Sequence, residues 1–214
     1  APASLPDVIA ARLSMLPHGA LVLCQALAVF GLEVQIDNLR RVAGDQLDPS
    51  FEQSLEALQV RSLVRDDAGL ITFTSPVVRD VVYDGIPADV RRSRHGQVAE
   101  ALELVVGDPA VLGHHHAAAG HRARAIDLLE RAGDIAVHQY DEDGASSMYQ
   151  RAVALARLGV YAGDDDGDIV ERYVMLSIKL AESLRVRGQT ALARGVIAEA
   201  RPWSGGVARL ESQL

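Results

Sequence analysis

The first candidate for metal binding is a run of three histidines, His114, His115 and His116, with His121 nearby. Consecutive residues on a helix point about 100° apart, so three adjacent imidazoles cannot converge on one ion. The histidine or carboxylate at i+4 that would complete a helical metal site is also missing. We therefore interpret these histidines as structural or solvated side chains and expect no metal site.

Two acidic stretches, Asp164–Asp168 and Asp141–Gly144, resemble the middle of a calcium-binding loop. With Gly167 at the sixth loop position, Ala162 stands first and Tyr173 twelfth, where such a loop needs Asp and Glu. The second stretch fails the same test. Both are interpreted as solvated loops whose acids lie beside the next helix N-terminus.

One basic cluster stands out: Arg91, Arg92, Arg94 and His95. Such a cluster could contact a phosphate or an acidic partner. The interpretation that we favour is a solvated helical face, which is the usual role of a charge run.

No motif of a known catalytic site is present. The sequence lacks a phosphate-binding P-loop, a dinucleotide fingerprint, His-Glu-x-x-His, Cys-x-x-Cys and Gly-x-Ser-x-Gly. Cys24 lies in an apolar segment without a basic neighbour in sequence, which favours a buried structural thiol over a nucleophile. We expect no catalytic residue and no enzymatic activity in this chain.

The composition predicts a mostly helical cytoplasmic protein. The 214 residues are 49% hydrophobic, carry a formal net charge of −8 and include one cysteine, too few for an internal disulfide. No apolar run reaches the ~18 residues of a membrane helix, and the negative charge disfavours general binding to nucleic acid or anionic membranes. Because the chain begins at Ala1 without a signal pattern, we expect a piece of a longer polypeptide.

The first half of the chain carries, in order, signals for helix, strand, helix, helix, hairpin and helix. The segment after Pro17 is apolar nearly all round and is predicted to be a buried central helix, followed by a short alternating strand over 32–36. The other elements are expected at these positions: a helix from Pro6 to Met15, a helix Asn38–Val42 capped by Asp37 and ended by Gly44, a helix Pro49–Val60 capped by Asp48, a hairpin over 63–73 with its turn at Asp66–Gly69, and helices from Pro76 and from Pro87 to Val106. This order is that of a winged helix-turn-helix domain, which we assign to residues 1–107.

The predicted winged helix is not of the DNA-binding kind. Its recognition-helix position, Pro49–Val60, carries Glu52 and Glu56 and has no basic residue before Arg61. A helix in the major groove needs cations towards phosphates and Arg, Lys, Asn or Gln towards bases. Residues 1–107 hold nine arginines against 14 acidic residues, a net charge of −5.

The second half, residues 108–214, is predicted to be helical throughout. Gly120, Gly144 and Gly188 each precede a similar helix, and their intervals average the 34 residues of a tetratricopeptide repeat. Small residues beside large apolar ones suit helix pairs that stack on neighbours, and a helix Ile169–Val186 is expected to bury one stripe. The predicted fold class is mainly α: a winged helix with a small β-hairpin, followed by a tetratricopeptide-like α-helical repeat array.

Several short motifs occur, one after another, over about residues 5–157. They are Leu5–Leu13 followed by Leu16-Pro17, Phe73–Tyr83, then Pro87, Arg91-Arg92, His95 and Val98–Leu102, and finally Leu112–His115, Ala118–Gly120 and Ala125. Their order and spacing resemble the segment that follows the ATPase module in bacterial STAND regulators, which include the large LuxR-type and MalT-like transcription activators and cyclase-linked relatives.

This resemblance implies a regulatory role and a set of site residues. In that family the winged helix packs on the nucleotide module, and a Phe-x-His histidine lies near the phosphates in the closed state. Ser75 stands at that position here and can exchange a hydrogen bond but carries no charge; Arg79 and Arg91 are further candidates. The resemblance implies no cofactor in this chain, ATP or ADP in a separate upstream module, and an inducer or protein on the repeats. The alternatives are a stand-alone interaction scaffold and a DNA-binding winged helix.

Overall fold

The structure is a computed structural model that describes residues 4–47, 50–105, 107–162 and 167–206. It is mainly α, as predicted, with 11 helices and one three-stranded antiparallel sheet in the described residues. Contacts divide the chain into two units, Ala1–Val106 and Gly107–Leu214. None of the described helices has the length and apolar character needed to cross a membrane.

The first unit is organised around one buried helix, α2. Its elements are α1 (Leu5–Ser14), α2 (His18–Phe30), β1 (Glu33–Gln35), α3 (Ile36–Leu47), α4 (Phe51–Val60), β2 (Val64–Asp67), β3 (Leu70–Phe73), α5 (Pro76–Asp84) and α6 (Ala88–Glu103). Leu23, Cys24 and Leu27 of α2 are fully buried, and α3, α4, α5 and α6 all pack against this helix. The predicted burial of the apolar helix after Pro17 is confirmed.

The three strands form one antiparallel sheet in the order β1-β3-β2. Asp66 and Asp67 pair with Ile71 and Leu70, so the prediction that these acids form the hairpin turn is wrong. The turn is Ala68-Gly69, and both residues have positive φ angles, 52° and 90°. Two consecutive residues with positive φ form a tight hairpin turn whose twist matches that of the flanking strands. Asp66 and Asp67 therefore lie at the end of β2 and not in the turn.

Two predicted helix boundaries differ from the structure because tertiary burial and capping decide them. Helix α3 continues through Gly44 to Leu47 and buries Leu39 and Leu47, which offsets the ~1 kcal/mol that a mid-helix glycine costs. Helix α1 begins one residue early, since Ser4 and Asp7 form a capping box.

Two further predictions concern the helix caps of the first unit. Asp37 lies inside the first turn of α3 and does not cap it, because α3 begins at Ile36. The predicted cap Asp48 and the start at Pro49 lie outside the described residues, as does Val106, the predicted end of the last helix.

The second unit is a consecutive series of packed helices, consistent with a helical array. Its helices are α7 (Pro109–Ala119), α8 (Arg122–His138), α9 (Glu142–Ala162), α10 (Gly167–Val186) and α11 (Thr190–Ala200), followed by a 3-10 helix, Arg201–Gly206. Gly120 and Gly188 end α7 and α10 with φ angles of 84° and 74°, the left-handed conformation that favours glycine there. Gly144, in contrast, lies inside the first turn of α9 and does not precede it. Asp164, Asp165 and Asp166 lie outside the described residues.

Helix packing in the second unit uses the predicted combination of small and large residues. The stripe on α10 is buried as predicted, with Tyr173 and Val174 among its members. On the α8–α9 contact Gly133 lies so close to Tyr149 that a Cβ there would be 2.7 Å from ring atom Cδ1. The two helices therefore meet at a glycine, and the ring fills the space that a side chain would occupy.

Candidate functional site

Ser75, which the sequence resemblance places at a sensor-histidine position, is the N-cap of α5. Its Oγ accepts a hydrogen bond from the backbone N of Val77 at 3.2 Å, and its backbone is extended. This bond satisfies one of the free N–H groups at the helix start. The Ser75 hydroxyl thus caps the helix, a structural role that needs no ligand.

Ser75→Ala is expected to lower the free energy of unfolding by about 1 kcal/mol, because it removes this cap. Ser75→Asp keeps an acceptor at the same place and is expected to retain the stability of the natural chain. Urea denaturation of both variants measures the difference. Equal stability of the Ala and Asp variants would contradict the capping role.

Arg79 and Arg91, the other two candidates, meet at the ring of Tyr83. The guanidinium carbons lie 4.4 Å and 5.0 Å from the ring centroid, within the range of cation–π attraction. Arg79 Nε also donates to the carbonyl of Ala28 in α2 at 3.1 Å, and its Nη1 pairs with Asp80 at 3.1 Å. Arg91 Nη1 donates to the Tyr83 carbonyl at 3.5 Å.

A histidine completes this group. The hydroxyl of Tyr83 and Nε2 of His95 are 2.9 Å apart and share a hydrogen bond, with the rings edge to face. We call Arg79, Tyr83, Arg91 and His95 the Tyr83 cluster. It ties α5 to α2 and α6. Tyr83 and His95 belong to the sequence motifs, but the motifs do not predict that Tyr83 contacts both arginines.

The expectation of a solvated face for the basic cluster is wrong for two of its members. Arg94 is 6% exposed and His95 1% exposed, whereas Arg92 is exposed. Both buried residues lie on the stripe that continues with Val98 and Leu102, at helical spacing. That periodicity is the signal that would have placed them in the interior.

Arg94 is an unusual buried charge. One of its nitrogens, Nη2, donates to Oε1 of Gln25 at 3.3 Å, while Nε and Nη1 have no hydrogen-bond partner among the described residues. Burial lowers the pKa of this guanidinium, since it disfavours the charged form. Unpaired buried donors cost free energy, so an apolar side chain at this position is expected to make the fold more stable.

The histidines of α7 have separate surroundings. His115 and His116 are buried and His114 is exposed. Nδ1 of His116 lies 3.1 Å from Nδ1 of His121, and Nδ1 of His114 lies 3.3 Å from Nη2 of Arg151 in α9. Over the ranges that the structure describes, no three His, Cys, Asp or Glu side chains are placed to share a metal ion.

Cys24 lies inside α2 with no exposed surface. Burial raises the pKa of its thiol to about 12. The sulfur is therefore protonated at neutral pH, whereas a nucleophile needs the thiolate. This environment is that of a packing residue.

Helix α4, the recognition-helix position, has an acidic exposed face. Glu52 and Glu56 are exposed, and Glu52 is paired with Arg40 of α3. Arg61, just after the helix, donates to the carbonyls of Ala57 and Met15 at 3.3 and 3.4 Å. Arg40 and Arg61 are thus both engaged within the unit.

A groove of about 580 Å³ lies between α10 and α11 in the second unit. Apolar side chains from both helices line it, and Arg185, Arg194 and Arg201 stand at its edge. Trp203 lies on the neighbouring core, with its ring edge to face with that of Tyr161 at 5.7 Å. The groove's volume is in the range of ligand-binding clefts.

Comparisons of the chain with family models, with curated proteins and with solved structures find no match. The resemblance to the STAND regulators is therefore carried by the sequence motifs alone and stays a prediction.

Proposed function

We propose that this chain is a non-catalytic relay segment of a multidomain signalling ATPase, of the transcription-regulator kind. Residues 1–107 act as a winged helix that does not bind DNA, and residues 108–214 act as a tetratricopeptide-like array. The observation that carries the proposal is the acidic exposed face of α4 within an arrangement of elements typical of a winged helix.

The arrangement of the first unit supports the winged-helix assignment. Helix α2, strand β1, helices α3 and α4 and the β2–β3 hairpin follow one another in the order of that domain. Strand β1 pairs with β3 and adds a third strand to the hairpin. A domain with this architecture and an acidic α4 face is suited to contact another protein module instead of DNA.

The second unit supports the binding half of the relay. Consecutive helices that contact their sequence neighbours bury a continuous core and leave grooves between them. The groove between α10 and α11 offers a surface for an inducer or a protein. Ligand binding there would bias the nucleotide module only through contacts that differ between its two states.

The Tyr83 cluster and Ser75 are the positions proposed to face the nucleotide module. ATP or ADP belongs to that module, and this chain holds neither by itself. Arg79 and Arg91 carry the charge that Ser75 lacks, so they are the groups proposed to meet phosphate oxygens. No membrane and no nucleic acid are among the proposed partners.

A stand-alone interaction scaffold is the second candidate, since the α10–α11 groove needs no ATPase to bind a partner. It differs from the first candidate in having no nucleotide module in the same polypeptide. In that case the Tyr83 cluster would serve packing only.

Two titrations test the non-catalytic, non-DNA-binding assignment. Isothermal titration of the chain with ATP or ADP is expected to give no measurable heat of binding. Titration with duplex DNA is expected to show no salt-dependent binding, because α4, the recognition-helix position, presents carboxylates where phosphate contacts need cations. Tight nucleotide binding would contradict the role given to Ser75, and DNA binding that weakens steeply with salt would support the DNA-binding alternative.

A further inference from the structure

We propose that the groove between α10 and α11 docks an acidic amphipathic helix of a partner protein. The inference rests on the proposed function only in taking the second unit as the binding unit, and it adds the chemistry of the partner. Its basis is an apolar floor, a basic rim whose arginines have no partner among the described residues, and the spacing of those arginines.

The floor of the groove is apolar and is supplied by both helices. Ile178 and Ala181 of α10 face Ala193 and Ile197 of α11 across it. The alanines are buried and the isoleucines half-buried. The lining positions extend over roughly 10 Å of α10 and 12 Å of α11, at 1.5 Å per residue, and Arg201 follows just beyond α11. Two to three turns of a partner helix match that length.

The rim of the groove carries three arginines whose guanidinium groups have no partner among the described side chains. Arg185, Arg194 and Arg201 are exposed, and none of their guanidinium groups forms a hydrogen bond or ion pair with another described residue. Glu182 is the acid among the lining residues. Other basic side chains of the unit are paired with carboxylates: Arg157, Arg172, Lys179 and Arg187.

Charge complementarity selects the partner. The chain carries a net charge of −8. Within the part that the structure describes, three arginines without ion-pair partners surround one apolar groove and form a local positive patch. Opposite potentials across an interface speed association and exclude partners of like charge. An acidic apolar ligand therefore fits this groove, and a basic one is excluded.

The spacing between two arginines of the rim favours a helical ligand. Arg194 and Arg201 are seven residues apart, where α11 continues into the 3-10 helix. Seven residues make about two helical turns, so the two side chains project from the same side of the helix, roughly 10 Å apart. Carboxylates at i and i+7 of an amphipathic helix have the same spacing and flank its apolar anchors.

The test uses the full 214-residue chain and a fluorescent, stapled amphipathic peptide of about four turns. The peptide carries a leucine stripe and two glutamates seven residues apart. Arg194→Glu is expected to weaken its binding about fivefold or more, measured by anisotropy at low salt. Arg131→Glu makes the same change in net charge at an exposed position on α8 and is expected to leave the Kd within about twofold.

Three results would overturn the proposal. One is equal affinity for a peptide with lysines in place of the glutamates. Another is an Arg194→Glu effect no larger than that of Arg131→Glu. The third is a dimer that is observed by sedimentation and that Arg194→Glu dissociates. The groove would then be covered by a second copy of this chain.

The outcome is independent of the ATPase proposal. Peptide binding needs no nucleotide module, so the docking site stands if no such module accompanies the chain. Conversely, a module in the same polypeptide together with no peptide binding would leave the relay proposal in place and remove the docking site.

Discussion

Gly133→Ala is expected to lower the free energy of unfolding of the second unit by about 1–2 kcal/mol. Alanine normally stabilises a helix interior by about 1 kcal/mol relative to glycine. Here its Cβ would enter the ring of Tyr149, which is 3% exposed and cannot move freely. The Tyr149 hydroxyl donates to Asp134 at 2.6 Å, which fixes the ring further. Overpacking of this kind costs typically 1–3 kcal/mol and outweighs the helix term.

The chain offers a matched control in Gly195, which lies in α11. Apart from its chain neighbours and the backbone of its own helix, no described atom lies within 4 Å of the place that a Cβ would occupy. Gly195→Ala is expected to raise stability by about 0.5–1 kcal/mol, since only the helix term acts there. Chemical denaturation of the two variants measures both changes. Stabilisation by Gly133→Ala comparable to that of Gly195→Ala would show that α8 and α9 do not meet closely at Gly133.

Arg94→Met is expected to have a large effect of the opposite sign. It should raise the free energy of unfolding of the first unit by about 1–3 kcal/mol. Methionine keeps much of the length of the side chain and removes a buried charge with two unpaired nitrogens, Nε and Nη1. Replacing a buried charge by an apolar side chain of similar volume is often stabilising. The bond lost to Gln25 is a single one, and Gln25 is only half-buried.

Arg92→Met is the control for Arg94→Met. Arg92 lies on the same helix and is exposed, so its replacement is expected to change stability by less than about 0.5 kcal/mol. Denaturant midpoints of the two variants separate burial from the simple loss of a positive charge. Destabilisation by Arg94→Met of more than about 1 kcal/mol would mean that the guanidinium has acceptors that offset its burial.

Elements with a strong local pattern could be predicted from the sequence. The central helix α2 is apolar nearly all round, and α10 carries one apolar stripe, so their burial follows from composition and period alone. Boundaries set by tertiary contacts could not be predicted in the same way. Gly44 signals a stop, but the burial of Leu47 extends α3 past it.

The residues of the candidate site could be predicted from the sequence, but not all of the contacts between them could. The motif singles out Ser75, Arg79 and Arg91 one by one. The contact of Arg79 with Tyr83 is within reach of helical spacing, since the two lie four residues apart on α5. That Arg91 lies over the same ring depends on how α6 meets α5, which spacing along one chain does not encode. The buried Arg94 shows the opposite failure, because its charge outweighed its position on an apolar stripe in the sequence-based interpretation.

We propose above that this chain relays signals for an ATPase module in the same polypeptide. The most direct measurement is the complete reading frame that encodes it. We predict that the codons immediately upstream of Ala1 continue the frame into a nucleotide-binding module with a Gly-x-x-x-x-Gly-Lys-Ser/Thr loop. A start codon a few positions before Ala1, with no such module in the frame, would contradict the account.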